Sequence, residues 1–371
     1  MIISISSAVQ ATEIFSVIFF LVLVIFVRRR QDTVGIPPSL STELKGLAIL
    51  MIVFSHIGYF LVNDHRFLWP LSSLAGVGVD LFLLLSGYGL AVSQLQKNLT
   101  IKQFYQRRLI KLFIPFWLAL LVFLVLDLLV LKINYSWNYI GWSFLGIFTR
   151  ADLYQDINSP LWYFTFILIY YLAFPLLFSK TRPWLSAIIM YLIGYLLIWW
   201  NPVQLVNAVH LYRVHIVAFP LGVFLAWLMP KIKNPKFLEN LTRGWQSFFY
   251  YFSLAGLLGI FVYANTHSGI GFSANLEQAM SIVAVLALLG VFILKKIEFK
   301  LFYWFGVYSY EIYLLHWPLM YRYDFIYRFM PAGWEWLAVI LYLILFIGLG
   351  WGMARITNLI TSRPSPTSIV K

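Results

Sequence analysis

Leu112-Phe-Ile-Pro-Phe-Trp-Leu-Ala-Leu-Leu-Val-Phe-Leu-Val-Leu-Asp-Leu-Leu-Val-Leu131 is a run of 20 residues with a single charge, Asp127. An α-helix rises 1.5 Å per residue, so such a run covers about 30 Å, the thickness of a bilayer's hydrocarbon core. The same reading recurs at 5–27, 44–62, 74–95, 160–178, 184–200, 209–229, 246–264, 277–294, 302–320 and 334–356. Eleven such spans, with connections too short to bury a core of their own, predict an all-α fold, a polytopic transmembrane helical bundle.

Composition agrees. The 371-residue chain is 61% hydrophobic and 11% charged, where a soluble domain carries about 25% charge, so water is not its solvent. Its 15 Trp and 23 Tyr suit the headgroup level of a bilayer, which makes membrane lipid an expected partner. The formal net charge of +13 raises nucleic acid as a partner. However, Lys and Arg fall in short clusters between apolar runs and form no basic domain to track a phosphate backbone, so none is expected. Zero cysteine excludes disulfides, thiolate metal ligands and cysteine nucleophiles. No His or carboxylate set has metal-ligand spacing, and no metal is expected.

The cations alternate between the two sides of the membrane. Arg28 to Arg30, Lys97 to Lys111, Lys180 with Arg182, Lys231 to Arg243, Lys295 to Lys300, and the tail with Arg363 and Lys371 share one side. The positive-inside rule makes that side cytoplasmic. The opposite loops mix scattered cations (Arg66, Arg150, Arg322, Arg328) with Asp64, Asp152, Asp156 and Asp324. The expected orientation is N-terminus outside and C-terminus cytoplasmic, in a multi-pass protein of a cell membrane, a bacterial cytoplasmic membrane. Three arginines follow the first apolar run and none precedes it, so the first span reads as retained rather than as a cleaved signal peptide. We therefore divide the chain into an extra N-terminal helix with a Pro37-Pro38 linker (1–43, the linker beginning near Thr33), a membrane domain (44–356) and a tail (357–371). Trp137 and Trp142 suggest that the longest outer segment, 132–159, lies on the membrane surface.

A charge at the bilayer centre costs about 2.5–3.5 kcal/mol on insertion scales, so polar residues inside spans are the functional candidates. Lys45 and His56 are eleven positions apart, which at 100° per residue places both on one helix face about 16–17 Å apart. They read either as a site or as a snorkelling lysine and a hydrogen-bonded core histidine. Gly76-Val-Gly-Val-Asp80-Leu-Phe-Leu-Leu-Leu-Ser86-Gly87-Tyr88 puts a carboxylate into the next span at the depth of His56, where Asp80 could orient the imidazole. The glycines also suit helix packing. Arg107, Arg108 and Lys111 form a basic cluster fit for phosphate groups or for anchoring to anionic lipid. Ser309, Tyr313 and His316 share a face of Tyr308-Ser-Tyr-Glu-Ile-Tyr-Leu-Leu-His316-Trp-Pro318, which is a second intramembrane histidine or a core hydrogen-bonding set. His210, Arg213 and His215 cluster near an outer helix end, and His65 and His267 fall in outer loops. Glu13, Asp127 and Glu277 read as solvated or paired.

These segments, in this order, resemble the acyltransferase type three family of membrane O-acyltransferases, over most of the chain from Leu44 to about Leu319. The motifs are Lys45 to His56, the Asp80 to Tyr88 segment, the Arg107-Arg108 block before Pro115, Leu161-Trp162-Tyr163 with Tyr171 and Pro175, and Ser309 to Pro318. The resemblance implies a core of about ten helices, here with one extra N-terminal helix. It also implies transfer of an acyl group, usually acetyl, from acyl-CoA to a carbohydrate hydroxyl, as in cell-envelope polysaccharide modification. His56 corresponds to the family's essential histidine and Lys45 to its basic partner, usually arginine. Arg107, Arg108 and Lys111 correspond to the motif linked with donor binding. Ser86, Trp162, Tyr163, Ser309, Tyr313 and His316 are candidates for substrate contact or structural polarity.

Lysine at 45 and 111 lacks arginine's bidentate fork, and Ile167 and Leu168 stand where many members carry acidic residues. The expected chemistry uses His56 as general base or transient acyl carrier, with acetyl-CoA or another acyl-CoA as donor. The rival classes are a transporter or flippase for a lipid-linked sugar or small solute, for which no inverted repeat is visible, and a catalytically dead membrane-assembly subunit. Nothing in the residues points to an oligomeric state.

Overall fold

A computed structural model describes residues 2–30, 35–97, 99–202, 205–232, 241–269 and 271–361. Thr33 of the expected linker, Lys233 and Lys236 of the fourth basic cluster, and the tail beyond residue 361 with Arg363 and Lys371 lie outside them. The main elements are α1 (Ala8–Ile25), β1 (Val27–Arg29), α2 (Pro38–Ser55), α3 (Ala75–Lys97), α4 (Ile101–Leu126), α5 (Trp137–Phe144), α6 (Trp162–Leu177) and α7 (Pro183–Trp200). They continue with α8 (Val206–His215), α9 (Ala218–Leu228), α10 (Arg243–Thr266), α11 (Ala274–Leu294), β2 (Ile297–Phe299), α12 (Lys300–Val307), α13 (Ser309–Tyr321) and α14 (Glu335–Ile360). Wider π-helical turns extend α2 over His56–Leu61 and α4 over Asp127–Leu131.

Among the described residues, ten helical segments are long and apolar enough to cross a bilayer. The fold is the polytopic helical bundle that the hydropathy pattern predicts, because only helices satisfy their own backbone groups in hydrocarbon. Two expected spans are interrupted. The run at 302–320 breaks at Tyr308 (φ −111°, ψ 17°) into α12 and α13. The run at 209–229 breaks after His215 into α8 and α9, where Pro220 clashes with the carbonyl four residues back. That carbonyl, Ile216 O, accepts from the Tyr170 hydroxyl at 3.2 Å. Pro318 frees Leu314 O in the same way, and Asn158 Nδ2 donates to it at 2.9 Å. The start of α4 lies earlier than the apolar run. Thr100 and Gln103 form a capping box that extends the helix through the whole basic stretch.

Helix α2 is the centre of the bundle: 72% of its most apolar window is buried, against 6% for α10. Small residues set the crossings. A Cβ on Gly46 would lie 1.6 Å from Phe302 O, and one on Gly306 would lie 1.8 Å from Thr42 O, so only glycine lets α2 and α12 touch backbone to backbone. Gly87 and Gly222 do the same for α3 and α9.

Helix α1 packs on α12 and α14 and is tied down at both ends. At one end β1 pairs antiparallel with β2, Arg28 facing Glu298, with the two side chains 2.6 Å apart. At the other, Ile3 N donates to Leu61 O at 2.6 Å and Asn63 N donates to Ile3 O at 3.0 Å.

Trp137 on α5 is 87% exposed. Asp127 is fully buried beneath the 132–159 segment, where it pairs with Arg322 and accepts from the Tyr135 and Tyr323 hydroxyls. Arg322 also reaches Asp156 O at 2.7 Å. Removing one member of a buried ion pair strands the other charge, at a typical cost of about 3–5 kcal/mol. Arg322→Met is therefore expected to lower the unfolding midpoint in detergent markedly, and the Asp127→Asn, Arg322→Met double variant to recover much of the loss.

Candidate active site

The helices enclose a cavity of about 680 Å³, within the roughly 300–1,000 Å³ typical of small-molecule sites. Lys45, Arg108 and Lys111 line its basic end, while His65 and Trp69 line the other. The Trp69 indole is 61% exposed there. At that rim the Arg66 guanidinium, hydrogen-bonded to Asp64, holds the Asp64 carboxyl down at about 2.

Between the two ends the cavity wall carries His56. Lys45 and His56 thus face one space, as their spacing predicts. The α-helical turns of α2 end at Ser55, and the π-helical turn begins with His56. Such turns are frequent at functional sites. Gly58 within the turn admits the following loop closely, since a Cβ there would lie 2.5 Å from Phe67 O. Edges of Phe60 and Trp317 pack on the imidazole, with centroids 5.6 and 5.0 Å away.

His56 Nδ1 lies 2.8 Å from His316 Nε2, with the two rings parallel to within 4°. His316 is completely buried behind it, with its Nδ1 2.9 Å from Tyr313 O and 3.1 Å from Ile312 O. A carbonyl only accepts, so His316 Nδ1 carries the hydrogen. Its Nε2 is then the acceptor in the neutral ring, and His56 Nδ1 donates to it. His56 Nε2 is left with a lone pair on the ring that lines the cavity. The third member of this relay is backbone, and it does for His316 what an orienting carboxylate does in a triad.

Asp80 does not reach His56. One carboxylate oxygen meets His215 Nδ1 at 2.7 Å and the other accepts from Ser281 Oγ, so its capacity to orient an imidazole goes to His215. The expectation that Asp80 steers His56 is replaced by His316 in that place. Arg107 is exposed and outside the cavity lining, whereas Arg108 and Lys111, one turn apart on α4, face into it. Ser86, Trp162, Tyr163, Ser309 and Tyr313 all line the cavity. Ser309 Oγ donates to Gly306 O at 3.0 Å and the Tyr313 hydroxyl to Pro160 O at 2.8 Å. Ile167 lines the same wall.

His210 and Arg213 are exposed on α8, and His267 lies against Tyr263 O at 2.8 Å. His215 and Glu277, by contrast, both line the cavity. The break before Pro220 is the sequence signal that singles out His215 as the last residue of its helix. Glu277 has no such signal. Among the described residues no group of three or more metal-ligating side chains comes together.

An acyltransferase domain family model matches residues 44–355. The chain belongs to the acyltransferase type 3 family. No curated protein and no solved structure matches it. The matched region of this family member begins within α2 and ends within α14, so it contains His56, His316, Asp80, His215 and the whole basic end of the cavity, while α1 precedes it. With ¹⁵N-histidine labelling, the neutral form of His56 is expected to carry its proton on Nδ1. Replacing His316 with Ala should shift that ring toward the Nε2–H tautomer. An Nε2–H ring in the unaltered protein would contradict the relay.

Proposed function

We propose that the protein is an integral membrane O-acyltransferase that moves an acyl group, most readily acetyl, from acyl-CoA to a hydroxyl of a cell-surface or lipid-linked carbohydrate. The observation that carries this reading is the lone pair of His56 Nε2 inside a cavity with a cationic end and an aromatic, polar end.

On the positive-inside reading the cationic end is cytoplasmic. The donor's phosphates then meet Arg108, Lys111 and Lys45 through charge-assisted hydrogen bonds, with Arg107 at the outer flank of the cluster. The thioester extends toward His56. The acceptor enters past Trp69 and His65, where an exposed indole suits the apolar face of a sugar ring and polar neighbours suit its hydroxyls.

The hydroxyl oxygen attacks the thioester carbon, the C–O bond forms, and the C–S bond breaks with its electron pair leaving on sulfur. As a general base, His56 Nε2 takes the hydroxyl proton, a role worth typically about 10²–10⁴-fold. The imidazolium so formed keeps its Nδ1–H directed at His316 Nε2, which disperses the charge without a buried carboxylate. As an acyl carrier, the same Nε2 forms the C–N bond first.

A cavity reaching from one charged rim to the other also suits a solute path, and one measurement separates the two functions. The protein in native membranes, given radiolabelled acetyl-CoA, is expected to place label in an alkali-labile ester of the glycan or glycolipid fraction. His56→Ala should abolish it. Ester formation at the normal rate by folded His56→Ala would refute the reading, and movement of glycolipid across the membrane without donor would favour the transporter. Arg108→Ala combined with Lys111→Ala is expected to raise the donor KM about 100-fold or more with little change in acceptor KM, since each charge-assisted hydrogen bond contributes about 1.5–3 kcal/mol and every 1.4 kcal/mol is about tenfold. An unchanged donor KM would remove the phosphate assignment.

A further inference from the structure

The cavity has a second imidazole on another wall. His215, the last residue of α8, is only 5% exposed, yet it lines the same space as His56. Its Nδ1 lies 2.7 Å from an oxygen of Asp80, a carboxylate with no exposed surface. The other Asp80 oxygen accepts from Ser281 Oγ. Two partners, one on each oxygen, match an ionised carboxylate, which only accepts. His215 Nδ1 is therefore the donor, and in the neutral ring Nε2 holds the lone pair. The Trp162 indole stacks on the ring at 5.6 Å and 18°, which fixes its plane. Gly76 and Glu277 meet His215 at this corner, where a Cβ on Gly76 would lie 3.9 Å from both His215 Cε1 and Glu277 Oε1, an ordinary contact.

A buried carboxylate is expensive inside a membrane bundle, and a purely structural polar contact needs no imidazole on a substrate-sized cavity. The two histidines are oriented by different means. His56 leans on a relay of a second imidazole ending in carbonyls, whereas His215 leans directly on the Asp80 carboxylate. That difference suits different tasks, a nucleophile that stays neutral and a base that ends charged.

We infer that His215, held by Asp80, is the base that takes the proton of the acceptor hydroxyl, and that His56 is the residue that carries the acyl group. This rests on the acyltransferase reading above and chooses between its two versions. First, His56 Nε2 attacks the thioester carbon. The C–N bond forms, the C–S bond breaks with its electron pair on sulfur, and the His56 Nδ1 proton passes to His316 Nε2, leaving a neutral acyl-imidazole. Then the acceptor oxygen attacks the acyl carbon as its proton moves to His215 Nε2. The C–O bond forms, the C–N pair returns to His56 Nε2, and His56 Nδ1 regains its proton from His316. The proton on His215 and the charge on the departed thiolate are neutralised through water at the two rims. Asp80 acts as a positioning residue.

The test separates the two halves. Full-length protein and its His56→Ala, His215→Ala, His215→Gln and Asp80→Asn variants are given radiolabelled acetyl-CoA in native membranes. One readout is label esterified to the glycan fraction. The other is acetyl transfer to hydroxylamine, corrected for the enzyme-free reaction, since this strong nucleophile needs no base. The His215 and Asp80 variants are expected to lose hydroxyl transfer about 100-fold or more while keeping hydroxylamine transfer within about threefold, and His56→Ala to lose both. Damage to the fold lowers both readouts together, and His215→Gln, which keeps a hydrogen bond to Asp80, guards against it. Hydroxyl transfer near normal in either His215 variant, or an equal loss of both readouts in His215→Gln with an unchanged unfolding midpoint, overturns the inference. Normal transfer by His56→Ala overturns the underlying function instead.

Discussion

Two main-chain carbonyls of α13, those of Ile312 and Tyr313, hold the Nδ1 hydrogen of His316, and the protonation pattern of the site propagates from them. Neither can donate, so the direction of every hydrogen bond inward to His56 is determined. Such a relay uses no buried charge. In hydrocarbon, where a carboxylate costs several kcal/mol, a helix's own backbone is the least expensive group with which to orient an imidazole. The break at Tyr308 gives α13 its own start, separate from α12, and Pro318 ends the regular bonding just beyond the histidine.

Close helix crossings keep this geometry in place. Gly46 against Phe302 and Gly306 against Thr42 bring α2 and α12 to backbone contact, and Gly87 with Gly222 joins α3 to α9. The two crossings fix α2, which bears His56, and α3, which bears Asp80, each against a neighbouring helix, while Trp317 packs on His56 and Trp162 on His215. Lipid offers no hydrophobic drive between helices, so this packing and the interhelical polar bonds supply the cohesion.

Much of this is legible from periodicity. The apolar runs mark the crossings because hydrocarbon thickness sets their length, and the eleven-residue interval puts Lys45 and His56 on one face because three helical turns nearly divide it. What escapes is pairing across long separations. Asp80 and His56 lie at similar depth in adjacent spans, and depth alone suggests a partnership, yet azimuth decides it, turning Asp80 toward α8 and α11. His316 is visible as a polar residue but not as the neighbour of His56, 260 positions away. Arg107 and Arg108 are chemically alike, and only the packing of α4 against its neighbours tells which one faces inward. The interruptions at Tyr308 and His215 differ in kind: Pro220 announces the second, whereas the first is marked only by Gly306, which reads equally as a close-packing glycine.

Helix α1 lies before the family's matched region and is mostly bare to lipid, which would make it look like a detachable anchor. Its two clamps argue otherwise. The strand pair with β2 grips one end, and the hydrogen bonds of Ile3 with Leu61 and Asn63 grip the other, at the last residue of the π-helical turn begun by His56 and just beyond it. The helix is therefore a stay fastened at both ends, and one fastening is Leu61, the last residue of the turn on which the imidazole sits.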